Sequence, residues 1–224
     1  MDDSTLVQLN GLAALDHPIS RATYQLVVDR GWVSRDAAAV ALDISRSVAA
    51  FHLDKLVEAG LLDARFERLS GRSGPGAGRP SKLYGRSARE ISVALPPRRY
   101  DIAGTVLAEA VSCADAEGIP VKRAVAEVAR QAGQNLAAET SGGGRARERV
   151  MEVLRRHGYE PRKQGREIAL LNCPFHALAE QHRDLVCGMN LEFLTGVLEG
   201  VTGAKLTARL EPEPGYCCVR LAAR

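Results

Sequence analysis

Residues 34–60 read SRDAAAVALDISRSVAAFHLDKLVEAG, and this stretch predicts two short helices joined by a tight turn. The first helix is expected over residues 34–42, because Ser34 is a favoured residue at a helix N-cap. The second is expected over residues 45–59 and ends at Gly60, a residue type that commonly closes helices. The fold of the N-terminal part follows from how this pair of helices packs.

The second helix has two different faces. Five apolar residues recur at helical spacing and predict a buried face: Val48, Phe51, Leu53, Leu56 and Val57. The opposite face carries short, polar or basic residues: Ser45, Arg46, Ser47, Ala49, His52 and Lys55. A helix N-terminus attracts phosphate, and a narrow polar face of this kind fits the DNA major groove. We therefore predict that this face contacts base edges and phosphates.

The residues after Gly60 predict a basic hairpin. Residues 61–69 alternate apolar and charged side chains as a half-buried strand does, residues 70–80 are rich in Gly and Pro, and residues 82–86 return as a second strand. Residues 65–99 contain nine Lys or Arg residues and two Glu residues, which suits a polyanion. The hairpin residues expected to contact DNA are Arg72, Arg79 and Lys82.

These residues carry a family resemblance. The sequence ISRSVAAFHLDKLVEAGLL, residues 44–62, resembles the recognition helix of winged helix-turn-helix repressors of the ArsR type. The basic strand, the Gly-rich hairpin and GRPSKLY at residues 78–84 resemble their wing. The resemblance implies sequence-specific binding to double-stranded DNA by a homodimer.

Length and composition indicate more than one domain. The chain has 224 residues, of which 46% are hydrophobic, enough for two cores of ordinary size. Consecutive prolines after Leu95 stop helices and central strands, so we place a DNA-binding domain at residues 1–95, a helical connector at 96–141 and a C-terminal domain at 142–224. No apolar run reaches the length of a membrane span and no signal peptide is recognised. A cytoplasmic protein without a membrane partner is expected.

The pattern after residue 95 predicts an α+β arrangement. Helices are expected over residues 101–116 and 121–138, and their broad apolar faces predict pairing across a dimer axis. A further helix, two strands, a helix over residues 175–200 that breaks near residues 182 and 183, and a last hairpin with strands at 205–211 and 216–221 follow. This order is typical of a small sensor or interaction domain with an antiparallel sheet.

The chain has five cysteines, an odd number that does not suggest a disulfide framework in a cytoplasmic protein. Cys173 is expected where a strand ends and a helix begins, Cys187 on that helical segment, and Cys217 and Cys218 on the closing strand. Because neighbouring strand residues point to opposite faces, only one of the last two is expected to face the others. Three converging thiolates predict a soft-metal or iron–sulfur site. His176 and His182 are spare ligands, and Cys113 is expected in the core.

The C-terminal half resembles the sensor domain of SufR-type iron–sulfur-responsive repressors. The resemblance rests on the Asn-Cys-Pro-Phe sequence at residues 172–175, on Cys187 and on the cysteine pair of the last hairpin. It implies cluster ligation by Cys173, by Cys187 and by Cys217 or Cys218. The chain lacks the family cysteine expected near Ala204, so the fourth ligand is left to a His or to an outside group.

The sequence thus predicts a transcriptional regulator, a repressor, whose DNA affinity depends on an iron–sulfur cluster or a soft metal such as zinc. The alternatives are a thiol-based redox switch, a winged-helix regulator with a non-metal effector, and a protein-interaction module. An enzyme is not expected, because the Gly-rich stretches lack the strand, helix and terminal Lys-Ser/Thr of a phosphate-binding loop. Cys173 and His176 resemble a Cys–His pair, but no oxyanion donor or orienting acid accompanies them.

Overall fold

The computed structural model describes residues 3–68, 80–139 and 144–223. It has a mixed α+β fold in two compact units, Met1–Val93 and Ala94–Arg224. The boundary lies two residues before the one predicted from the prolines. Residues 96–139, expected as a separate connector, belong to the second unit. Each unit has its own core and its own antiparallel sheet.

The first unit consists of four helices and a small sheet over its described residues. Its elements are α1 (Asp3–Ala14), α2 (Pro18–Arg30), β1 (Val33–Ser34), α3 (Arg35–Leu42), α4 (Arg46–Glu58), β2 (Leu62–Glu67) and β3 (Ser81–Arg86). The sheet order is β1-β3-β2, with Val33 and Ala64 both paired to Tyr84. The short strand β1 was not predicted. The predicted hairpin is present, but its tip, with Arg72 and Arg79, lies outside the described residues.

The turn between α3 and α4 forms as the sequence predicts. The Ser34 hydroxyl caps α3 by accepting from the Ala37 amide at 3.1 Å, and Asp43 ends α3 in the left-handed conformation at φ 51°. The Ser45 hydroxyl then caps α4 by accepting from the Val48 amide at 3.3 Å. Asp43 and Ser45 together fix the turn between the helices, because each residue satisfies an otherwise free backbone group at a helix end.

The buried face of α4 differs from the prediction. Ala49, Leu53 and Leu56 are fully buried, whereas Phe51 is 63% exposed and Val48 is only half-buried. The buried residues recur at spacings of three and four, so they form one proper helical face. That face meets α2 and the core that includes Val27 and Tyr84.

The second unit packs helices around a four-stranded sheet. Its elements are α5 (Tyr100–Glu117), α6 (Val121–Glu139), α7 (Ala146–Arg156), β4 (Pro161–Gln164), β5 (Glu167–Leu170), α8 (His176–Gln181), α9 (Arg183–Gly200), β6 (Leu206–Leu210) and β7 (Val219–Ala223). The sheet order is β4-β5-β7-β6, with Ile168 opposite Leu221. The predicted helix break at residue 182 is present. The last strand begins at Val219, three residues later than predicted.

Helices α6 and α9 cross in close contact. A Cβ added at Gly133 would overlap the Phe193 carbonyl, and one added at Gly196 would overlap the Arg130 carbonyl. Arg130 also binds Glu199 through its Nε, with an Nε–Oε2 distance of 2.9 Å. The apolar face of α6, predicted to pair across a dimer axis, is therefore covered by α9 of the same chain.

Candidate functional site

Four cysteines of the second unit lie together, and we call Cys173, Cys187, Cys217 and Cys218 the cysteine cluster. Cys173 lies in the turn between β5 and α8, and Cys187 lies one turn into α9. Cys217 and Cys218 lie in the bend before β7. The cluster is thus built from three segments that meet at one end of the sheet.

The thiols interact with one another in pairs. Cys173 interacts with Cys217, Cys217 with Cys218, and Cys218 with Cys187, and each shifts the pKa of its partner. The prediction that only one of Cys217 and Cys218 faces the others is therefore wrong. Both precede β7, so strand alternation does not apply to them.

The backbone holds this bend in place. The Cys217 amide donates to the Leu170 carbonyl at 2.8 Å, and the Cys218 carbonyl accepts from the Glu211 amide at 2.9 Å. These two bonds fix the peptide that joins the two cysteines, because each engages a backbone group on either side of it. Both thiols can then point into the same cluster.

The thiols of the cysteine cluster differ in pKa. The hydrogen bond from Cys217, with further bonds from Cys187 and Asn190, lowers the pKa of Cys218 to about 6 against the opposing effect of burial. Burial, together with the bond to Cys218, raises the pKa of Cys187 to about 12. Hydrogen bonds to Cys173 and Cys218 raise the pKa of Cys217. The interactions therefore favour the thiolate at Cys218 and the neutral thiol at Cys187 and Cys217.

Cys173 has a second set of donors. Its hydrogen bond with Cys217 is the main cause of a lowered pKa, and the Phe175 amide and the charge of Arg98 act in the same direction. The Phe175 amide precedes α8, as expected for a thiol placed before a helix. The position of Cys173, between the end of β5 and the start of α8, agrees with the sequence prediction.

A buried polar pair that the sequence prediction missed supports the cluster. The Asn190 side-chain amide donates to Cys217 Sγ at 3.2 Å, and its carbonyl oxygen accepts from the Tyr159 hydroxyl at 2.5 Å. Asn190 is 0% exposed and Tyr159 is 2% exposed. Burial keeps Tyr159 neutral by raising its pKa. Asn190 lies three residues after Cys187 in an otherwise apolar part of α9. Residues at this spacing share a helix face, so the sequence could have identified Asn190 as a polar neighbour of Cys187.

The remaining predicted ligands lie apart from the cluster. His176 is exposed and lies 3.3 Å from Glu180, and His182 is exposed at the start of α9. Cys113 packs against the main core, as predicted. Neither histidine is among the groups that contact the four thiols.

The cysteine cluster offers thiolate ligands, which soft metals prefer. Thiolates with N–H donors around them hold zinc and iron–sulfur clusters. Among residues 3–68, 80–139 and 144–223, no group of three or more His, Cys, Asp or Glu side chains is spaced to hold a metal ion as it stands. The four cysteines fit such a group in their chemistry, since thiolates are the ligands that it prefers.

The second candidate surface is the exposed start of α4. Ser45, Arg46 and Ser47 are exposed there, as the sequence predicts. Arg46 Nε lies 2.7 Å from Asp36 of α3, and both side chains are about 60% exposed. Lys55, further along α4, is half-buried. The three exposed residues share the helix N-terminus, where the macrodipole favours anions.

His52 does not belong to this surface, and the prediction that it contacts DNA is wrong. It is 6% exposed, and its Nδ1 lies 2.9 Å from the Ser20 hydroxyl of α2. Its ring also lies 4.8 Å from that of His17. Burial, then the charges of His17 and Lys55, lower the pKa of His52. Its role is to join α2 to α4 as a neutral side chain.

Lys82 is part of an ion pair within the first unit. Its Nζ lies 2.5 Å from Asp54 Oδ1 of α4, and the Tyr84 hydroxyl donates to the same oxygen at 2.9 Å. Burial opposes ionisation of Asp54, but these two hydrogen bonds outweigh it and lower the pKa of Asp54. Lys82 therefore joins β3 to α4 rather than presenting a free charge.

Within the described parts of the chain, no helix is long and apolar enough to cross a membrane. Comparisons with known proteins add no relatives: no family model, no curated protein and no solved structure matches this chain.

Proposed function

We propose that the chain is a DNA-binding transcriptional regulator, a repressor, whose first unit is a winged helix-turn-helix domain. The observation that carries the proposal is the pair α3 and α4, joined by a doubly capped turn and followed by the antiparallel hairpin of β2 and β3. In such domains the second helix enters the major groove and its first residues contact base edges. In this chain those residues are Ser45, Arg46 and Ser47.

Arg46 is the side chain that would discriminate sequence. It is exposed and, among the residues that the structure describes, paired with the equally exposed Asp36, and an exposed pair of this kind is worth less than about 1 kcal/mol. Arg46 can therefore leave Asp36 to form a bidentate bond with guanine. Ser45 and Ser47 have short side chains, so the backbone at the start of α4 can approach a DNA phosphate closely.

The test is DNA retardation with fragments of the chain's own upstream region at low and moderate salt. Arg46→Ala should weaken specific binding by about 5- to 150-fold, equivalent to about 1–3 kcal/mol. Arg162→Ala, at an exposed position of β4 in the second unit, is the matched control and should bind as the unaltered protein does. A protein that retards no fragment even at low salt contradicts the proposal.

We also propose that the cysteine cluster binds an iron–sulfur cluster or a soft metal and that DNA affinity depends on it. The support is the set of four contacting thiols with Asn190 and Phe175 as N–H donors. When bound, the group would be held by thiolates of the cluster and would replace the hydrogen bonds between them. Because both Cys217 and Cys218 belong to the cysteine cluster, one of them would be the fourth ligand that the family resemblance left open.

The measurement is anaerobic purification with iron, sulfide and zinc analysis and a visible spectrum. Cys173→Ser should lose most of the bound metal and its effect on DNA affinity. Cys113→Ser, which removes a cysteine outside the cluster, is the control and should retain both. A wild-type protein without iron, sulfide or zinc contradicts this half of the proposal.

A thiol redox switch is a second candidate, favoured by the interaction of Cys173 with Cys217 and of Cys187 with Cys218. Peroxide would oxidise either pair to a disulfide and be reduced to water. This candidate predicts a change in DNA affinity on oxidation of the metal-free protein. It is excluded if metal-free protein binds DNA equally before and after oxidant.

The regulator is proposed to act as a homodimer, since two recognition helices roughly 34 Å apart would read successive major grooves. Because α6 is covered by α9 in the same chain, the dimer contact is expected to use another surface. Sedimentation at micromolar concentration tests the proposal, and a monomer there contradicts it.

A further inference from the structure

Phe51 points outward from α4. It is 63% exposed, whereas Ala49, Leu53 and Leu56 of the same helix are fully buried. Successive residues of an α-helix are turned by about 100°, so Phe51 lies on the side of α4 opposite these three residues. A phenyl ring left in water gains none of the free energy that burial provides. The stability of the first unit therefore does not account for an aromatic side chain at this position.

Phe51 shares its side of α4 with a residue of the proposed DNA-binding surface. Residues three, four and seven apart lie on one face of a helix. Ser47, Ala50, Phe51 and Asp54 have this spacing, and we call them the outer face of α4. Ser47 is exposed and Ala50 is half-buried. Recognition helices present residues at the same spacing to base edges in the major groove, so Phe51 lies where such a helix would read sequence.

The ring of Phe51 packs against a fixed neighbour. The centres of the Phe51 and His52 rings lie 5.2 Å apart, and the rings are nearly perpendicular, at 84°. His52 is 6% exposed and its Nδ1 lies 2.9 Å from the Ser20 hydroxyl, so it has little freedom to move. An edge-to-face contact with this ring restricts Phe51. A side chain that is already restricted loses less conformational entropy when it binds a surface.

The residues around Phe51 leave its ring as the apolar part of the outer face. Ser47 and Ala50 have short side chains, so the ring extends beyond them. Asp54 Oδ1 lies 2.5 Å from Lys82 Nζ, so its charge is paired within the protein. In the major groove the C5 methyl of thymine is the apolar group of the base edges, and the other bases are recognised by hydrogen bonds. An exposed phenyl ring on this face matches that methyl group.

We propose that Phe51 selects thymine by packing its ring against the C5 methyl of one base in each half-site. The inference rests on the proposed function and extends it, because Arg46 would discriminate guanine and Phe51 adds a base that hydrogen bonds do not read. Each copy of α4 in a homodimer enters one half of a symmetric site. The contact is therefore made once in each half-site. Loss of one methyl contact weakens binding by about fourfold, equivalent to about 0.8 kcal/mol.

Replacement of thymine by uracil tests the contact, because the two bases differ only in this methyl group. The assay is retardation of a fragment of the chain's own upstream region by full-length protein, with uracil introduced at one thymine at a time. The affinity of the unaltered protein should fall by about fourfold at one thymine of each half-site. Uracil at the other positions should leave the affinity unchanged.

Three variants assign the effect to the ring. Phe51→Ala should bind the thymine fragment about fourfold more weakly for each half-site and should no longer distinguish uracil from thymine. Phe51→Leu, which keeps an apolar side chain, should restore part of the difference. Val40→Ala removes another apolar side chain, 85% exposed on α3, and is the control that should keep the full effect of uracil. Urea unfolding checks that the variants fold, as expected for exposed positions.

Equal affinity of the unaltered protein for every uracil-substituted fragment overturns the role of Phe51 and leaves DNA binding intact. An effect of uracil that persists undiminished in Phe51→Ala also overturns it, because another residue then reads the methyl group. If Phe51→Ala keeps the effect of uracil but dissociates the protein in sedimentation, the ring serves a contact between proteins and the proposal is wrong. A protein that retards no fragment contradicts the proposed function itself, so the two failures are distinguishable.

Discussion

Replacing Asn190 with Leu tests whether the buried polar pair holds the cysteine cluster together. The change removes the acceptor of the Tyr159 hydroxyl and the donor to Cys217 while keeping a side chain of similar size. An orphaned buried hydroxyl costs about 1–3 kcal/mol, and the weak sulfur acceptor adds less. We expect the free energy of unfolding of the second unit to fall by about 2–3 kcal/mol.

A double-mutant cycle isolates the hydrogen bond. Tyr159→Phe removes the hydroxyl that Asn190→Leu would orphan, so the double variant should cost about 1 kcal/mol less than the sum of the single variants. Additive effects would mean that the two side chains do not share the 2.5 Å bond.

The assay is urea unfolding of metal-free, reduced protein followed by circular dichroism. The chain has one tryptophan, Trp32 of the first unit, so its fluorescence reports that unit separately. The Trp32 transition should not move in any variant of the cycle. A second-unit transition for Asn190→Leu within 0.5 kcal/mol of the unaltered protein, taken roughly as the error of such measurements, refutes the reasoning.

Three further predictions concern packing and pH. Gly196→Ala forces α6 and α9 apart and should cost about 3 kcal/mol in urea unfolding, whereas the control Gly188→Ala meets nothing within 4 Å and should be neutral or stabilising; equal effects would contradict the close crossing. Gly85→Ala places a Cβ 2.7 Å from the Trp32 indole, so it should shift the Trp32 emission to longer wavelength, and an unchanged spectrum would show that the ring does not cover Gly85. Burial, then the charge of Arg99, lower the pKa of His157 from 6.5 to about 4, so the unfolded chain binds the proton first as the pH falls. Neutral His157 therefore contributes its full stability above pH 6.5 and loses it towards pH 4; the change in pKa corresponds to about 3 kcal/mol, which solvent screening of the partly exposed ring reduces to about 1–2 kcal/mol. Thermal melts of His157→Leu should lack this loss.

Local signals in the sequence predicted the bounds of α4 but not its orientation. Ser45 and Gly60 act on the backbone next to them, so their effect could be predicted without knowing the fold. Which face is buried depends on the neighbouring element. The Ser20 hydroxyl on α2 gives His52 a buried partner, and Phe51 is turned outwards as a result.

The cysteines of the candidate site could be predicted, but their arrangement could not. The apolar residues around Cys217 and Cys218 predict that both lie in a strand. In the structure, the backbone bond from the Cys217 amide to the Leu170 carbonyl holds them in a bend before β7. Asn190 and Tyr159 are far apart in sequence and meet only when α9 packs on the turn after α7. A hydrogen bond between such residues leaves no periodic signal.

Several basic residues between 65 and 99 already have partners within the protein. Arg65 lies 4.1 Å from the centre of the Trp32 ring and pairs with Glu67 at 2.8 Å. Lys82 is bound to Asp54, and residues 98 and 99 belong to the second unit. A cation that already has a partner must give it up before it neutralises a phosphate, so a count of basic residues overstates the charge available to DNA.

Arg46, at the start of α4, carries a charge that is readily made available to DNA. Arg46 and Asp36 are both about 60% exposed, and solvent weakens such a pair enough for phosphate or a base edge to replace Asp36. Arg46 also lies at the N-terminus of α4, which Ser45 caps and where the helix macrodipole favours an anion. Under the proposed function, Arg46→Ala is therefore expected to weaken DNA binding more than a substitution of Lys82, whose charge is held by Asp54.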